Sequence, residues 1–514
     1  MNREQMLSRV EAEKLWDIII IGGGCSGVGC AVDAASRGFK VLLLEASDFG
    51  KGTSSRSTKL IHGGIRYLKS GQIKLVKEAL KEREILISNA PHVIRNLSFL
   101  VPCRNFFEIA FYGAGLSIYD LLARSTRFKK VRFVSHPNLM RDFSTLRADQ
   151  FVGGWLYEDA QFDDARLLIN LVRTAVDNGA VVLNYCRVFT LIKSANGIVE
   201  GVEFVDEESG KLFSVKAKII INATGVFCDQ IRRMSNPRFD DIVMPSQGIH
   251  LVLRKSFCPA DSAILIPKTR DKRVIFLIPW HGRILVSTTD TPIQRIEIEP
   301  TALHEEIQYL LTTLEQYLKK VPATDDILSV FAGIRPLVKQ GDKPTSRMSR
   351  DFLIEVDKNK LITLTGGKWT TYRLMAQKTI DFAIKIGNLP FKESRTRELK
   401  IHGWQNTSSI YGSDIDGISK LVSSDDCLSE KLSEDLPYTK AEIIWAVKYE
   451  MARSIEDVLC RRTRALFLDS RATLEIAPKV TRLMAKELGK TATWELDQIS
   501  KFQKIAKKFS VQGV

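Results

Sequence analysis

The sequence has few cysteines and histidines, and neither type is clustered. Its eight cysteines stand at positions 25, 30, 103, 186, 228, 258, 427 and 460, without a CxxC pair. Seven histidines are present, without an HExxH motif. Disulfide scaffolds and zinc sites need such residues at short, regular spacings, so the sequence argues against a small disulfide-rich domain and predicts no metal site.

Long apolar runs are also missing. The first residues, MNREQMLSRVEAEKLW, are charged and lack the apolar core of a signal peptide. The longest uncharged run, residues 18–32, is interrupted by glycines, and no run reaches the roughly 18 apolar residues that a spanning helix needs. We therefore expect an intracellular protein that does not cross a membrane.

The remaining composition is that of a globular protein with an excess of basic residues. The 514 residues are 44% hydrophobic and 26% charged, and 75 Lys plus Arg against 60 Asp plus Glu give a net charge of +15. At roughly 150 residues per domain, the length predicts two to four domains. The charge suits an anionic membrane surface, nucleic acid or an acidic small substrate, or is simply a basic surface. Without a stacking aromatic module or zinc knuckle, we predict no nucleic-acid partner.

A dinucleotide-binding motif lies near the N-terminus. The β-branched run at residues 17–21 predicts a strand that is buried on both faces. Gly22, Gly24 and Gly27 follow as GxGxxG, then a helical run of small residues, and then a second strand that ends at Glu45. The glycines permit a tight turn, close approach to a pyrophosphate and helix–strand packing, and the acid accepts hydrogen bonds from ribose hydroxyls. The unit therefore predicts dinucleotide binding.

A polar, glycine-containing segment follows directly, FGKGTSSRSTKLIHGGIRYLKSGQ at residues 49–72. Its part TSSRSTKLIHGGIRYL resembles the signature of FAD-dependent glycerol-3-phosphate dehydrogenases. Further motifs of that family follow in order: FDDAR (162–166), NATGVF (222–227), IPW (278–280), TTDT (288–291), GIRPL (333–337), GGKWTTYR (366–373) and EDVLCRRTRALFLD (456–469). The resemblance covers nearly the whole chain, and with a single GxGxxG motif it implies FAD as the only nucleotide.

The resemblance implies a fold and a domain organisation. We expect an α/β fold of mixed α+β character, with a Rossmann-like FAD-binding domain of the glycine oxidase and D-amino-acid oxidase type. The FAD-binding domain would comprise residues 15–75, 150–235 and 345–400. An inserted β-rich substrate domain would comprise residues 76–149 and 236–344, and a helical domain would occupy residues 405–514.

The resemblance also implies an activity, the oxidation of sn-glycerol 3-phosphate to dihydroxyacetone phosphate with electrons passed to a membrane quinone. His250 is the expected general base, since the pKa of imidazole lies near neutral pH. Arg335 could instead stabilise the developing alkoxide. The expected substrate-binding residues are Arg66, Tyr67, Arg335 and Lys368. The expected FAD-binding residues are Gly22, Gly24, Gly27, Glu45, Thr53, Ser54, Ser55, Lys59, His62, Gly64, Ala223, Gly225, Gly367, Lys368 and Thr370.

Residues 105–133 combine aromatic and aliphatic side chains with five basic residues. Such a segment suits an interfacial membrane anchor, and equally a buried helix hairpin with a basic exit loop. An electron acceptor in the bilayer would place the protein at the cytoplasmic side, peripherally on the inner face of the cell membrane. A homodimer is one option for its oligomeric state. The alternatives are a glycerol-3-phosphate oxidase that uses oxygen, or another FAD-dependent oxidase or dehydrogenase of the same fold.

Overall fold

The computed structural model describes residues 1–65, 68, 71–123, 125, 127–269, 273–339 and 351–511. The helices are α1 (Arg3–Ala12), α2 (Cys25–Ser36), α3 (Ile73–Asn89), α4 (Phe106–Ala123), α5 (His136–Asp142), α6 (Asp164–Asp177), α7 (Cys228–Ser235), α8 (His304–Glu315), α9 (Tyr372–Ile386), α10 (Ile415–Ser424), α11 (Lys440–Tyr449), α12 (Ala465–Leu468), α13 (Ser470–Leu488) and α14 (Ala492–Lys507). The strands are β1 (Trp16–Ile21), β2 (Val41–Leu44), β3 (Leu60–Ile61), β4 (Ile94–Cys103), β5 (Arg132–Ser135), β6 (Gly153–Phe162), β7 (Val181–Leu183), β8 (Cys186–Lys193), β9 (Val199–Asp206), β10 (Leu212–Asn222), β11 (Val243–Arg254), β12 (Ala263–Ile266), β13 (Ile275–Trp280), β14 (Arg283–Ser287), β15 (Thr291–Pro292), β16 (Ile327–Val338), β17 (Phe352–Val356), β18 (Ile362–Gly366), β19 (Lys431–Ser433) and β20 (Leu436–Thr439).

The first sheet has the strand order β17-β18-β10-β1-β2-β7, with β9 and β8 continuing from β10. β1 lies between β10 and β2, and both pairings are parallel. Ile18, Ile19 and Ile20 of β1 have no exposed surface, as expected for a strand covered on both faces. Helix α2 packs against α6 and α9. Because the strands run parallel, the carboxyl ends of β1, β2, β10 and β18 meet at one edge, where such folds bind ligands.

The second sheet has the order β15-β11-β14-β13-β12-β4-β6-β3, with β16 paired to β11 and β5 to β6. β11 and β16 form a long antiparallel pair, from Val243 opposite Val338 to Leu253 opposite Ile327. Strands β4, β5 and β11 to β16 of this sheet lie within residues 76–149 and 236–344, the ranges predicted for the inserted domain. The predicted boundary at residue 150 placed β6 with the first sheet, whereas β6 pairs along its whole length with β4.

The C-terminal region, from α10 onward, is mainly helical. Helix α11 ends at Tyr449, and a separate π-helical turn spans Asp457–Arg462. Phe467, Phe502 and Phe509 pack in one apolar cluster with Phe331 of β16. The C-terminal helices therefore share a core with the second sheet.

Helix α4 projects one apolar face outward. Its 18 residues have a mean hydropathy of 1.3, so by length and composition alone it could cross a bilayer, which the sequence had not indicated. Only 22% of it is buried, and Phe106, Phe107 and Leu121 are 80%, 76% and 73% exposed. The alternative of a buried helix hairpin at this position is therefore wrong. Its inner face contacts the sheet through Tyr119 and through Gly113, which lies against Trp155.

Candidate active site

The turn between β1 and α2 forms a cradle that a larger residue would fill. Gly22 has a φ of +111°, and a Cβ there would lie 2.6 Å from the carbonyl oxygen of Ala223 on the neighbouring loop. A Cβ at Gly27 would overlap the carbonyl oxygen of Gly22. Helix α2 begins at Cys25 after Gly24, so its first N–H groups face the space above the turn. This backbone geometry fits the pyrophosphate of a dinucleotide.

Glu45 lies at the floor of this cradle. Its carboxylate accepts hydrogen bonds from Gly23 N at 2.6 Å and Ser47 N at 2.8 Å. Burial raises the pKa of this carboxyl, whereas the two backbone N–H groups oppose that shift. Because a carboxylate has about four acceptor positions, Glu45 has lone pairs left for the ribose hydroxyls of a nucleotide.

Two loops are tied together beside the cradle. The indole of Trp369 donates to the carbonyl oxygen of Ser54 at 2.9 Å, and the Ser54 hydroxyl accepts from Cys25 N at 2.9 Å. His62 N donates to the hydroxyl of Thr370 at 3.3 Å. Thr371, at the N-cap of α9, makes no capping hydrogen bond with its side chain. The polar segment and the GGKWTT turn therefore hold each other at the end of α2.

These elements surround one cavity of about 1630 Å³, larger than the roughly 300–1,000 Å³ typical of small-molecule sites. The predicted residues that line it are Gly22, Gly24, Glu45, Thr53, Ser54, His62, Gly64, Ala223, Gly225, His250, Arg335, Gly367, Lys368 and Thr370. Three predicted cofactor residues, Gly27, Ser55 and Lys59, do not line it, and Arg66 and Tyr67 lie outside the described residues. The cavity has room for a dinucleotide and a small substrate.

Lys59 is buried behind the cavity wall instead of facing it. Its ammonium donates to Asp164 at 2.6 Å and to the carbonyl oxygen of Ser55 at 3.0 Å. Burial lowers the pKa of Lys59 to about 8, although Asp164 opposes the shift. The polar segment alternates between cavity and interior, and the prediction missed this because both faces carry polar side chains.

His250 lies on β11 with its ring stacked on Phe331, the ring centroids 4.7 Å apart. Its Nε2 is 3.1 Å from the hydroxyl of Thr58, and its Nδ1 has no hydrogen-bond partner among the described residues. Burial, with Lys59 and Arg335 nearby, holds the pKa of His250 well below its ordinary value. The imidazole is therefore neutral near pH 7. Thr58 was not among the predicted site residues.

Arg335, on β16, lies across the backbone of β11. Its guanidinium covers Gly248, where any Cβ would overlap it, and donates to Thr288 Oγ1 and Thr289 O, both at 2.9 Å. Asp290 is the nearby carboxylate, at 3.4 Å. Gly248 and His250 are two residues apart on one strand and therefore face the same side. The cation and the imidazole thus meet at the same cavity wall.

A buried ion cluster supports the nucleotide side from the C-terminal region. Asp48 accepts from Arg461 at 2.5 Å and twice from Arg462, at 2.7 and 2.8 Å. Burial would raise the pKa of Asp48, but the two arginines hold it well below its ordinary value. Sequence reasoning missed this cluster, because its two sides are more than 400 positions apart; the adjacent arginines in CRRTR were the only signal.

Sequence comparisons give two family matches. The sequence model described as FAD dependent oxidoreductase matches residues 17–375, and that of the C-terminal domain of alpha-glycerophosphate oxidase matches residues 359–495. The mitochondrial glycerol-3-phosphate dehydrogenase of Schizosaccharomyces pombe is 36% identical, over 95% of this chain and 86% of its own length. That of Arabidopsis thaliana is 35% identical, over 94% of this chain and 85% of its own.

Solved structures agree with these matches. The glycerol-3-phosphate dehydrogenase from Bacillus halodurans, complexed with FAD, has a TM-score of 0.81 and 26% identity, over 99% of this chain and 98% of that chain. Glycine oxidase from Geobacillus kaustophilus has a TM-score of 0.53 and 16% identity, over 76% of this chain and 99% of that chain, a likeness of fold alone. The predicted fold class is confirmed.

Proposed function

The chain belongs to the FAD-dependent glycerol-3-phosphate dehydrogenases and takes FAD as its cofactor, and from that premise we propose that it passes the electrons of sn-glycerol 3-phosphate to a membrane quinone. The proposed product is dihydroxyacetone phosphate. When bound, FAD supplies a two-electron hydride acceptor. The described residues bind the cofactor, orient the substrate and move its hydroxyl proton.

One observation carries the proposal. A neutral imidazole and a guanidinium lie side by side on the cavity wall, because Arg335 covers Gly248, two residues from His250 on the same face of β11. Oxidation of a secondary alcohol requires loss of the hydroxyl proton as hydride leaves the carbon. His250 is placed to accept that proton at one ring nitrogen, and Arg335 to stabilise the negative oxygen.

We propose that cationic side chains bind the substrate phosphate. Arg335 and Lys368 line the same cavity, and cationic N–H groups form strong hydrogen bonds with phosphate oxygens. Arg66 and Tyr67 remain predicted substrate residues on the resemblance alone. Lys368 belongs to the GGK turn, where Gly367 packs against Met375 so closely that a Cβ would overlap its sulfur. That turn brings its backbone N–H groups to the cofactor and its lysine to the substrate.

The surface of α4 supports the proposed docking on a membrane. Its exposed phenylalanines stand next to a basic stretch in which Arg127, Lys129, Lys130 and Arg132 are all exposed. Apolar side chains beside cations are what an interfacial helix needs to enter the headgroup layer of an anionic leaflet. We propose that this face lies on the membrane that holds the quinone.

An oxygen-using glycerol-3-phosphate oxidase is the second candidate, favoured by the match of residues 359–495 to the C-terminal domain of alpha-glycerophosphate oxidase. The test is anaerobic mixing of the FAD-loaded protein with glycerol 3-phosphate while the flavin absorbance is followed. Rapid bleaching that a soluble quinone reverses faster than oxygen supports the proposal. Fast reversal by oxygen with release of peroxide would establish the oxidase, and no bleaching would overturn the substrate.

A further inference from the structure

The guanidinium of Arg335 is held by acceptors on two segments of the second sheet. It donates to Gln247 O on β11 at 3.2 Å, and to Thr288 Oγ1 and Thr289 O in the loop between β14 and β15, both at 2.9 Å. An oxyanion is stabilised only by donors that already stand at hydrogen-bond distance from it. The position of these acceptors therefore decides how well the guanidinium can serve the proposed reaction.

One buried carboxylate behind the cavity wall binds to both segments. Glu306, in the first turn of α8, is 4% exposed and does not line the cavity. Its Oε2 accepts from Gln247 Nε2 at 2.8 Å, and its Oε1 accepts from the hydroxyls of Thr289 and Thr291, both at 2.7 Å. Gln247 and Thr289 are also the residues whose carbonyl oxygens accept from Arg335. Glu306 therefore holds the side chains of two residues whose backbone holds the guanidinium.

A further hydrogen bond extends this arrangement to the strand that carries His250. The hydroxyl of Thr289 accepts from Ile249 N at 3.0 Å while it donates to Glu306. Ile249 stands between Gly248, which the guanidinium covers, and His250. The backbone of β11 at the cavity wall is therefore bonded, through one hydroxyl, to the same carboxylate.

Glu306 also has the ordinary task of a residue at its place in a helix. It is the third residue of α8 and accepts from the N-cap Leu303 N at 3.1 Å, as a capping glutamate does. Capping accounts for that bond alone and leaves the bonds to Gln247, Thr289 and Thr291 unexplained. Because a carboxylate has about four acceptor positions, these donors fill it. Its partners therefore suit a residue that fixes other residues, not one that binds a ligand.

We propose that Glu306 is a positioning residue for the oxidation of glycerol 3-phosphate, and that it acts through Arg335 by fixing the residues to which the guanidinium donates. The inference rests on the proposed function, in which Arg335 stabilises the substrate oxygen as the hydroxyl proton leaves. Glu306 itself takes no part in the transfer of proton or hydride. Loss of its hydrogen bonds lets the loop at residues 288–291 shift, and a displaced guanidinium binds the developing oxyanion less well.

The test changes the hydrogen bonds of Glu306 and keeps its size. Glu306→Gln turns one acceptor oxygen into an amide donor, which then faces other donors. The matched control is Glu442→Gln, since Glu442 is likewise the third residue of a helix, α11, and accepts from the N-cap Thr439 N at 2.7 Å. In the FAD-loaded proteins, we expect anaerobic reduction of the flavin by saturating glycerol 3-phosphate to slow about tenfold in Glu306→Gln and to stay within about twofold of wild type in Glu442→Gln.

A double-mutant cycle with Arg335 distinguishes positioning from support of the fold. Because Glu306 acts through Arg335, Glu306→Gln should change flavin reduction by less than about twofold in the Arg335→Ala background, where there is no guanidinium to position. A role in folding alone would give the same loss in both backgrounds. That result, or a wild-type rate in Glu306→Gln, overturns the inference.

A second variant keeps the test decisive if Glu306→Gln does not fold or does not retain FAD. Thr289→Val removes one hydrogen bond to Glu306 and keeps the carbonyl oxygen that accepts from Arg335. It should slow flavin reduction about threefold in the wild-type background and leave it unchanged in Arg335→Ala. Equal losses in the two backgrounds overturn the inference again. If glycerol 3-phosphate does not bleach the wild-type holoenzyme, the proposed function fails and the role of Glu306 fails with it.

Discussion

The end of the cavity around Gly22, Gly24 and Glu45, which we call the nucleotide end, is built from backbone. The other end lies between α4 and the second sheet and is built from side chains; we call it the acceptor end, because we propose that the electron acceptor approaches there. At the nucleotide end a bare turn, a helix N-terminus and one carboxylate form the site, and these lie within about 25 positions of each other. At the acceptor end, residues from four separate elements contribute one or two apolar side chains each.

The difference follows from what each end has to bind. A pyrophosphate needs N–H groups at close range, and only a few residue types leave backbone that accessible. An apolar ligand needs a surface from which water is excluded, which many side chains provide equally well. A single substitution should therefore weaken ligand binding strongly at the nucleotide end and only slightly at the acceptor end.

The largest expected effect is at the nucleotide end, in the ion cluster beneath it. Asp48→Ala leaves two buried arginines without their shared carboxylate, and we expect the free energy of unfolding to fall by about 3–5 kcal/mol. Urea unfolding followed by flavin fluorescence measures it. Asp241→Ala removes an exposed partner of Arg233 and should cost about 1 kcal/mol or less. Equal losses in the two variants would contradict the role of the cluster.

The comparison of wild type with Asp48→Ala also gives a test by pH. Because the pKa of Asp48 is lowered in the folded protein, its stabilisation is present above the unfolded carboxyl pKa of about 3.9 and is lost as the pH falls through the folded value. The difference in unfolding free energy between wild type and Asp48→Ala should therefore be constant from pH 7 to about 5 and shrink below about pH 4. A difference that grows on acidification would exclude a depressed pKa.

Arg335→Ala tests the catalytic role of the cavity wall that carries Arg335 and His250, between the two ends. We expect kcat with glycerol 3-phosphate to fall about 100- to 1000-fold, since one stabilising donor for a developing oxyanion is lost. FAD should be retained, because Arg335 donates hydrogen bonds to Gln247 O, Thr288 Oγ1 and Thr289 O, which belong to the second sheet and its connecting loop. Arg254→Ala, at the exposed end of β11, is the control and should leave kcat within twofold. Loss of FAD with turnover restored by added cofactor would make Arg335 a flavin ligand.

A smaller effect is expected when a single methyl group is added at either end of the cavity and the affinity for FAD is compared. Gly27→Ala places a Cβ on the carbonyl oxygen of Gly22, and we expect FAD affinity to fall about 10- to 100-fold, equivalent to about 1–3 kcal/mol. Gly115→Ala adds the same methyl group at the acceptor end, where nothing lies within 4 Å, and should not change FAD affinity. Fluorescence titration of the apoproteins with FAD compares them. Equal affinities for FAD in the two variants would mean that the cradle can relax.

How far the sequence predicts the site depends on how local each part is. Gly22, Gly24 and Glu45 were predictable because they belong to one strand–turn–helix–strand unit. Neighbouring residues alone fix the positions within such a unit. His250 and Arg335 needed the family resemblance, since only the pairing of β11 with β16 brings them together. The fold class was accessible from the same resemblance.

The parts that the sequence could not give are those that depend on distant packing. Asp48 and Arg462 are 414 positions apart, and no periodicity connects them. Lys59 was assigned to the cofactor because it lies in the segment that resembles the family signature, yet its partner Asp164 lies behind the wall. The surface role of α4 was undecided because its composition suits burial and exposure equally, and only the neighbouring strands show which face is covered.

Tyr119 is where the two ends are connected, and its replacement should have the smallest effect. From the inner face of α4 its hydroxyl accepts from Gly63 N at 2.8 Å and donates to Asp159 at 2.6 Å. Gly63 stands between His62 and Gly64, which both line the cavity. Arg83 holds Asp159 in place at 2.7 Å. Helix α4 is therefore hydrogen-bonded to the loop that lines the cavity.

Tyr119→Phe keeps the ring and removes both hydrogen bonds, so the His62–Gly64 loop loses its anchor to α4. Two bonds at about 0.5–1.5 kcal/mol each predict a fall of about tenfold in kcat/KM for glycerol 3-phosphate. Tyr411→Phe removes an equally buried hydroxyl, bonded to Glu442 in the C-terminal region, and should cost stability without changing kcat/KM. If both variants lose stability alike and neither changes kcat/KM, Tyr119 only supports the fold. A specific loss in Tyr119→Phe would mean that α4 positions the His62–Gly64 loop through one hydroxyl.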